Sequence, residues 1–163
     1  MDWSHFTLRI PINATVEEVY KRWNSSEGLT SWFLREAHFK NNEGVARYAD
    51  EPLRPGDSYL WRWYGYRDDV TEEGTILNAN HKDEISFSFG KAGNVSVKIY
   101  AVKDVVMCEL EQTNIPVDEH GREYYYIGCS KGWLFYLTNL KSLLEGGVDL
   151  RNRDVELQDV ISS

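Results

Sequence analysis

Apolar and polar positions alternate with a period of two at the start of the chain. Phe6, Leu8 and Ile10 alternate with Thr7 and Arg9, which predicts a strand over residues 3–12 with Pro11 at its end. Thr15 then precedes Glu18 by three residues, the spacing of a reciprocal helix cap. Val16, Val19, Tyr20 and Trp23 share one helical face, so a short helix is expected over 15–24. Asn24-Ser25-Ser26 breaks it. A second short helix is expected from Ser26 to Phe33, with Leu29, Trp32 and Phe33 at its apolar end.

Strand-type patterning follows. Leu34 to Lys40 suits a strand, Asn41-Asn42-Glu43-Gly44 a turn, and Pro52, Pro55 and Gly56 a loop. Tyr59, Trp61 and Trp63 alternate with Leu60, Arg62 and Tyr64, giving a strand with three large aromatics on one face. Val70 to Asn78 reads as another strand, with Gly74 marking a bulge or a close approach. Ile85, Phe87 and Phe89 form a further one. The loop Gly90-Lys91-Ala92-Gly93-Asn94 joins it to Val95, Val97 and Ile99, and Val105 to Thr113 is the last.

After Pro116 the period changes. Cys129, Trp133, Tyr136, Leu137, Leu140 and Leu144 recur in steps of three and four, predicting an amphipathic helix over about 122–145. Gly146-Gly147 suits its C-terminal cap. Consecutive strands joined by short turns form an antiparallel meander, and only the final helix is long enough to cover its apolar face. The expected fold class is α+β: a curved antiparallel sheet of about six to seven strands wrapped around a long C-terminal helix, with two short helices after strand one. Residues 1–147 read as a single domain and 148–163 as a polar, charged C-terminal tail that either folds back or frays.

Composition narrows the function. At 163 residues the chain fits one domain able to bury a core without disulfides or metal. A net charge of −8 argues against nucleic acid and against an anionic membrane surface as partners. No apolar run approaches the roughly 18 residues needed to span a bilayer. The N-terminus lacks the basic and apolar regions of a secretion signal. Cys108 and Cys129, 21 residues apart, read as two buried thiols of a reducing compartment. A cytoplasmic protein is expected.

Candidate chemistry is sparse. His5, His38, His81 and His120 are scattered without ligand spacing, so no metal is expected. There is no nucleophile elbow or phosphate-binding loop, and Gly90 and Gly93 belong to a hairpin, so no cofactor is expected. Cys129 reads as core. Asp68-Asp69 and Glu72-Glu73 read as solvated turn charges. Glu109 and Glu111 alternate with Cys108 and Leu110, which points them outward, and Arg62 is expected on the outer face. The strongest signal is aromatic. At 13% of the chain, these rings converge from several elements, either as core or as the wall of a pocket.

The order of elements resembles the START-like superfamily of helix-grip domains, which includes the birch-pollen-allergen type. Within it, the chain is similar to the family of activator of heat-shock-protein-ninety ATPase homologues. The resemblance spans about residues 3–150. It rests on Ile10-Pro11-Ile12-Asn13-Ala14 before Val16-Glu17-Glu18-Val19, on Leu29-Thr30-Ser31-Trp32-Phe33 and on the Pro55-Gly56-Asp57 turn into an aromatic strand. Ile85-Ser86-Phe87-Ser88-Phe89 and Gly132-Trp133 with Tyr136-Leu137-Thr138-Asn139-Leu140 complete it. It implies a lone helix-grip domain with a cavity between sheet and helix that takes apolar ligands, and a link to the stress response.

The leading expectation is binding of a small apolar or aromatic ligand, without catalysis. Trp133, Tyr136 and Leu137 would form the helix wall, Trp61, Trp63, Phe87 and Phe89 the sheet wall, and Trp32 and Phe33 the lid. One alternative is a protein-interaction module whose partner is a chaperone or a second copy of the chain. The other is an enzyme acting on a hydrophobic ligand in the same cavity, which would need an inward carboxylate or histidine.

Overall fold

The computed structural model describes residues 1–161. Its strands are β1 (Phe6–Ile12), β2 (Glu36–Lys40), β3 (Ser58–Arg62), β4 (Glu72–Ala79), β5 (Glu84–Ser88), β6 (Asn94–Val102) and β7 (Val105–Thr113). They form one antiparallel sheet in the spatial order β1-β7-β6-β5-β4-β3-β2. Only the pairing of β1 with β7 departs from a simple meander. It brings the first and last strands together and leaves β1 and β2 as the edges. Pro11 lies within β1, opposite Met107, rather than at its end. The edge position accommodates a residue that has no N–H to offer a second neighbour.

Two short helices connect β1 to β2. Helix α1 (Val16–Lys21) carries the expected reciprocal cap: Glu18 N donates to Thr15 Oγ1 at 3.1 Å and Thr15 N donates to Glu18 Oε2 at 2.7 Å. Helix α2 (Ser26–Thr30) is capped by Ser25, whose hydroxyl accepts from Gly28 N. It ends earlier than its apolar pattern suggests. The amides of Phe33 and Leu34 both donate to the Leu29 carbonyl at 3.0 Å, which closes the helix and leaves Trp32 and Phe33 on the turn beyond it.

The C-terminal helix has the expected extent but two windings. Residues Gly121–Gly128 are π-helical, and α3 (Cys129–Leu144) continues them as α-helix. The wide first part faces Tyr126 inward, its ring 5.0 Å from Trp3 and 5.4 Å from Phe6, while Tyr124 is exposed. Trp133, Tyr136, Leu137 and Leu140 bury the inner stripe of α3 against the sheet.

Aromatic rings fill the space between sheet and helix. Trp23, Trp32 and Trp61 are wholly buried. Trp23 meets Trp32 edge-on at 4.6 Å, Trp61 stacks on Tyr59 at 3.8 Å, and Phe33 packs against Trp133 at 4.9 Å. These rings make a sealed interior.

Beyond Gly147 the chain turns back onto the domain. Arg151 is 9% exposed. Its guanidinium donates to the carbonyls of Thr30, Ser31 and Leu34 and pairs with Asp149. Buried Asn139 of α3 completes the clamp: Nδ2 donates to Trp32 O at 2.7 Å and Oδ1 accepts from Leu150 N at 2.8 Å. The guanidinium groups of Arg151 and Arg153 lie 5.1 and 4.6 Å from the centre of the Tyr64 ring. Ser162 and Ser163, at the end of that tail, lie outside the described residues.

Candidate functional site: an apolar cavity beside the C-terminal helix

A cavity of about 890 Å³ opens along α3 at the end of the sheet where β3 runs out and β5 enters its hairpin. Trp63, Tyr66 and Val70, from the loop between β3 and β4, form one wall. Phe33 and Phe89 form the floor with Trp133 and Tyr136 of α3. The helix also contributes Cys129, Lys131, Leu134, Phe135 and Thr138, and Tyr124 comes from the π-helical part. Val160 and Ile161, carried round by the clamped tail, reach the rim.

Phe33, Trp63, Phe89, Trp133 and Tyr136 are therefore brought together on this cavity. Phe33 joins them: its ring is 5.9 Å from Trp63, 4.9 Å from Trp133 and 5.0 Å from Tyr136, while Phe89 is 5.6 Å from Trp133. Trp32, Trp61, Phe87 and Leu137 do not line it. They lie one layer deeper, each 2% exposed or less. Trp63 sits just past the end of β3 and is half-buried on the cavity wall, unlike the buried Tyr59 and Trp61 on the strand.

The polar groups deep in the wall are occupied. Trp133 Nε1 donates to Gln112 Oε1 at 3.0 Å, and Gln112 Nε2 donates to Ala92 O at 2.9 Å, with Gln112 itself wholly buried. At the exposed rim, Thr138 Oγ1 donates to Leu134 O. Burial pushes the Cys129 thiol up, so it stays protonated at neutral pH. Cys108, deeper and fully enclosed, is pushed up to about 12 by the same desolvation. Neither cysteine is in a disulfide.

One carboxylate departs from expectation. Glu72 is not a solvated turn charge. The strand begins at Glu72 rather than Val70, and this register sets Glu72 directly opposite Trp61 on the inner face. Its carboxylate packs against Gly90, next to the cavity residue Phe89, where a Cβ would collide with it. Burial, reinforced by the like charge of Glu73, raises its pKa against one opposing hydrogen bond from Glu73 N. Trp61 Nε1 is buried with no hydrogen-bond partner. Glu109 does face outward, held by Arg9 at 2.5 Å and by Tyr100 Oη at 2.7 Å. Among the described residues, no three histidine, cysteine, aspartate or glutamate side chains gather into a metal site.

A second, more polar hollow of about 1090 Å³ lies against β2 and β3. Several of its charges already neutralise one another: Arg62 pairs with Glu36, and Arg47 with Asp57 and Glu51.

Val70, Lys131, Leu134 and the tail residues were not legible as cavity residues in the sequence, whereas Tyr66 and Tyr124 are among the tyrosines whose positions pointed to the mouth of a pocket. The loop from 63 to 70 has no period, and Lys131 and Leu134 lie off the apolar stripe of α3.

A curved antiparallel sheet gripping a long C-terminal helix, with an aromatic cavity at its open end, defines a helix-grip domain of the α+β class. The chain belongs to the family described as activator of Hsp90 ATPase homolog 1-like protein, which it matches over residues 13–145. Among solved structures, a Staphylococcus saprophyticus protein superposes with a TM-score of 0.70 at 16% identity, over 91% of this chain and 96% of that one. The Aha1 dimer of Colwellia psychrerythraea superposes with a TM-score of 0.67 at 15% identity, over 88% and 97%. DynU16, a putative protein of the dynemicin biosynthetic locus, gives 0.65 at 16% identity, over 88% of this chain and 48% of that one. No curated protein matches. Among the described residues, no helix is long and apolar enough to cross a membrane.

Proposed function

We propose that the protein binds a small apolar or aromatic molecule in the cavity beside α3 and carries or senses it without altering it covalently. The observation that supports this most directly is the convergence of Phe33, Trp63, Phe89, Trp133 and Tyr136 from separate parts of the fold onto one open space. A pocket of mostly apolar wall with few polar groups is the usual form of a small-molecule site. The ligand lies at the open end of the grip, since aromatic side chains fill its centre. Two free cysteines suit a cytoplasmic setting.

Native mass spectrometry of the purified protein, followed by denaturing analysis, tests this reading. The expected result is a sub-kilodalton adduct that leaves on denaturation, or binding of the neutral reporter N-phenyl-1-naphthylamine that weakens in Trp63→Ala. A clean mass together with no reporter binding overturns it.

A second reading is favoured by the apolar rim. Tyr124 and Leu134 are 58% and 60% exposed and Ile127 is 39% exposed, and they suit a protein partner: a chaperone, as the family description suggests, or a second copy, as in the Colwellia dimer. A dimer that dissociates on Leu134→Glu would support that reading. An enzymatic reading would draw on Glu72, the inward carboxylate adjoining Phe89.

A further inference from the structure

We propose that the cavity selects amphipathic anions, with the apolar body against Phe89 and Trp133 and the anionic end on Lys131. This rests on the small-molecule reading above. Lys131 is the one charged side chain among the described residues lining the cavity. Of the other cations on the helix and tail, Lys141 pairs with Glu145, Arg151 and Arg153 pair with Asp149, and Arg122, outside the cavity, donates to Val117 O. Lys131 has no acidic partner among the described residues. A protein with a net charge of −8 thus presents an uncompensated cation at the edge of an apolar cavity.

The rest of the wall narrows the ligand further. The buried Trp133 N–H is committed to Gln112 and the exposed Thr138 hydroxyl to Leu134 O, so neither has a donor to spare. Glu72, which would repel an anion, is not among the residues lining the cavity, although its charge acts on Cys129, which is. Lys131 is two positions further along α3, and residues two apart do not share a helix face. The geometry therefore separates an apolar interior from a single positive rim. A fatty or aryl-alkyl carboxylate complements that arrangement. A neutral molecule leaves the ammonium unused, and an organic cation meets it unfavourably.

Competition against bound N-phenyl-1-naphthylamine tests the proposal, using decanoate and 1-decanol, which share a chain length and differ in charge. The wild-type protein should bind decanoate about fivefold more tightly than Lys131→Gln does, with decanol unchanged between them. Lys131→Arg should restore most of the difference, and added salt should erode it. Equal decanoate affinity in wild type and Lys131→Gln overturns the anion proposal while leaving the cavity reading intact. Failure of both compounds to displace the reporter overturns the two together.

Discussion

Arg151 Nη1 donates to the main-chain carbonyl of Leu34 at 3.0 Å, across 117 residues of sequence. The same guanidinium reaches Thr30 O and Ser31 O, so the segment after α3 fastens the turn that carries Trp32 and Phe33. One wall of the cavity thus depends on a residue outside the helix-grip core. Truncating Arg151→Ala leaves those carbonyls without their donor and Asp149 with only the exposed Arg153 as partner. The expected loss is about 2–4 kcal/mol in urea unfolding, together with weaker reporter binding because Phe33 is no longer held. Unchanged stability would show that the tail merely rests on the surface.

Gln112 joins sheet to helix through Trp133 and hairpin to sheet through Ala92. Replacing it by leucine keeps the volume but strands a buried N–H and a buried carbonyl. We expect Gln112→Leu to lower stability by about 2–4 kcal/mol, since each unsatisfied group costs about 1–3 kcal/mol. Thermal or urea denaturation measures this directly.

The two thiols should differ in access rather than in acidity, since burial raises the pKa of both. Cys108 should resist N-ethylmaleimide until the protein unfolds. Cys129, which lines the cavity, should react slowly in the native state and more slowly still with the reporter bound. Mass spectrometry of timed samples distinguishes the sites. Equal labelling of both, or no protection by the reporter, would place Cys129 outside the occupied space.

Glu72 makes a pH-dependent contribution whose sign follows from its raised pKa. The folded state holds this proton more tightly than the unfolded chain does. Stability is therefore favoured at low pH and falls as pH rises from the unfolded value near 4.3 through the folded one. Glu72→Gln removes that decline. The variant should gain stability over wild type as pH rises from 4.5 to 7, by under about 1 kcal/mol because the site is only partly shielded from water. Parallel stability profiles for the two proteins would show that the carboxylate is solvated after all.

Much of the fold was legible because its signals are local. The Thr15–Glu18 cap, the alternation through β5 and β7 and the apolar stripe of α3 each follow from contacts within a few residues or across a simple turn. The π-helical winding of Gly121–Gly128 and the early end of α2 were not, because main-chain hydrogen-bond choice is only weakly written in side-chain period. Glu72 shows the same limit in a strand. Glu72 shares the parity of Gly74 and Ile76, and only the pairing that sets it opposite Trp61 of β3 shows that this face is the inner one.

The sequence by itself determined an α+β helix-grip domain with aromatic side chains directed between sheet and helix, since hydrophobic period and turn chemistry specify which face each element buries. Tertiary structure alone decided which rings became core and which became wall. Trp61 and Phe87 were sealed by neighbours brought from distant parts of the chain, while Trp63, just past a strand end, was left at an opening. It also decided that the polar tail, through Arg151, closes back on the site. Long-range hydrogen bonds have no sequence period, so no pattern of residues announces them.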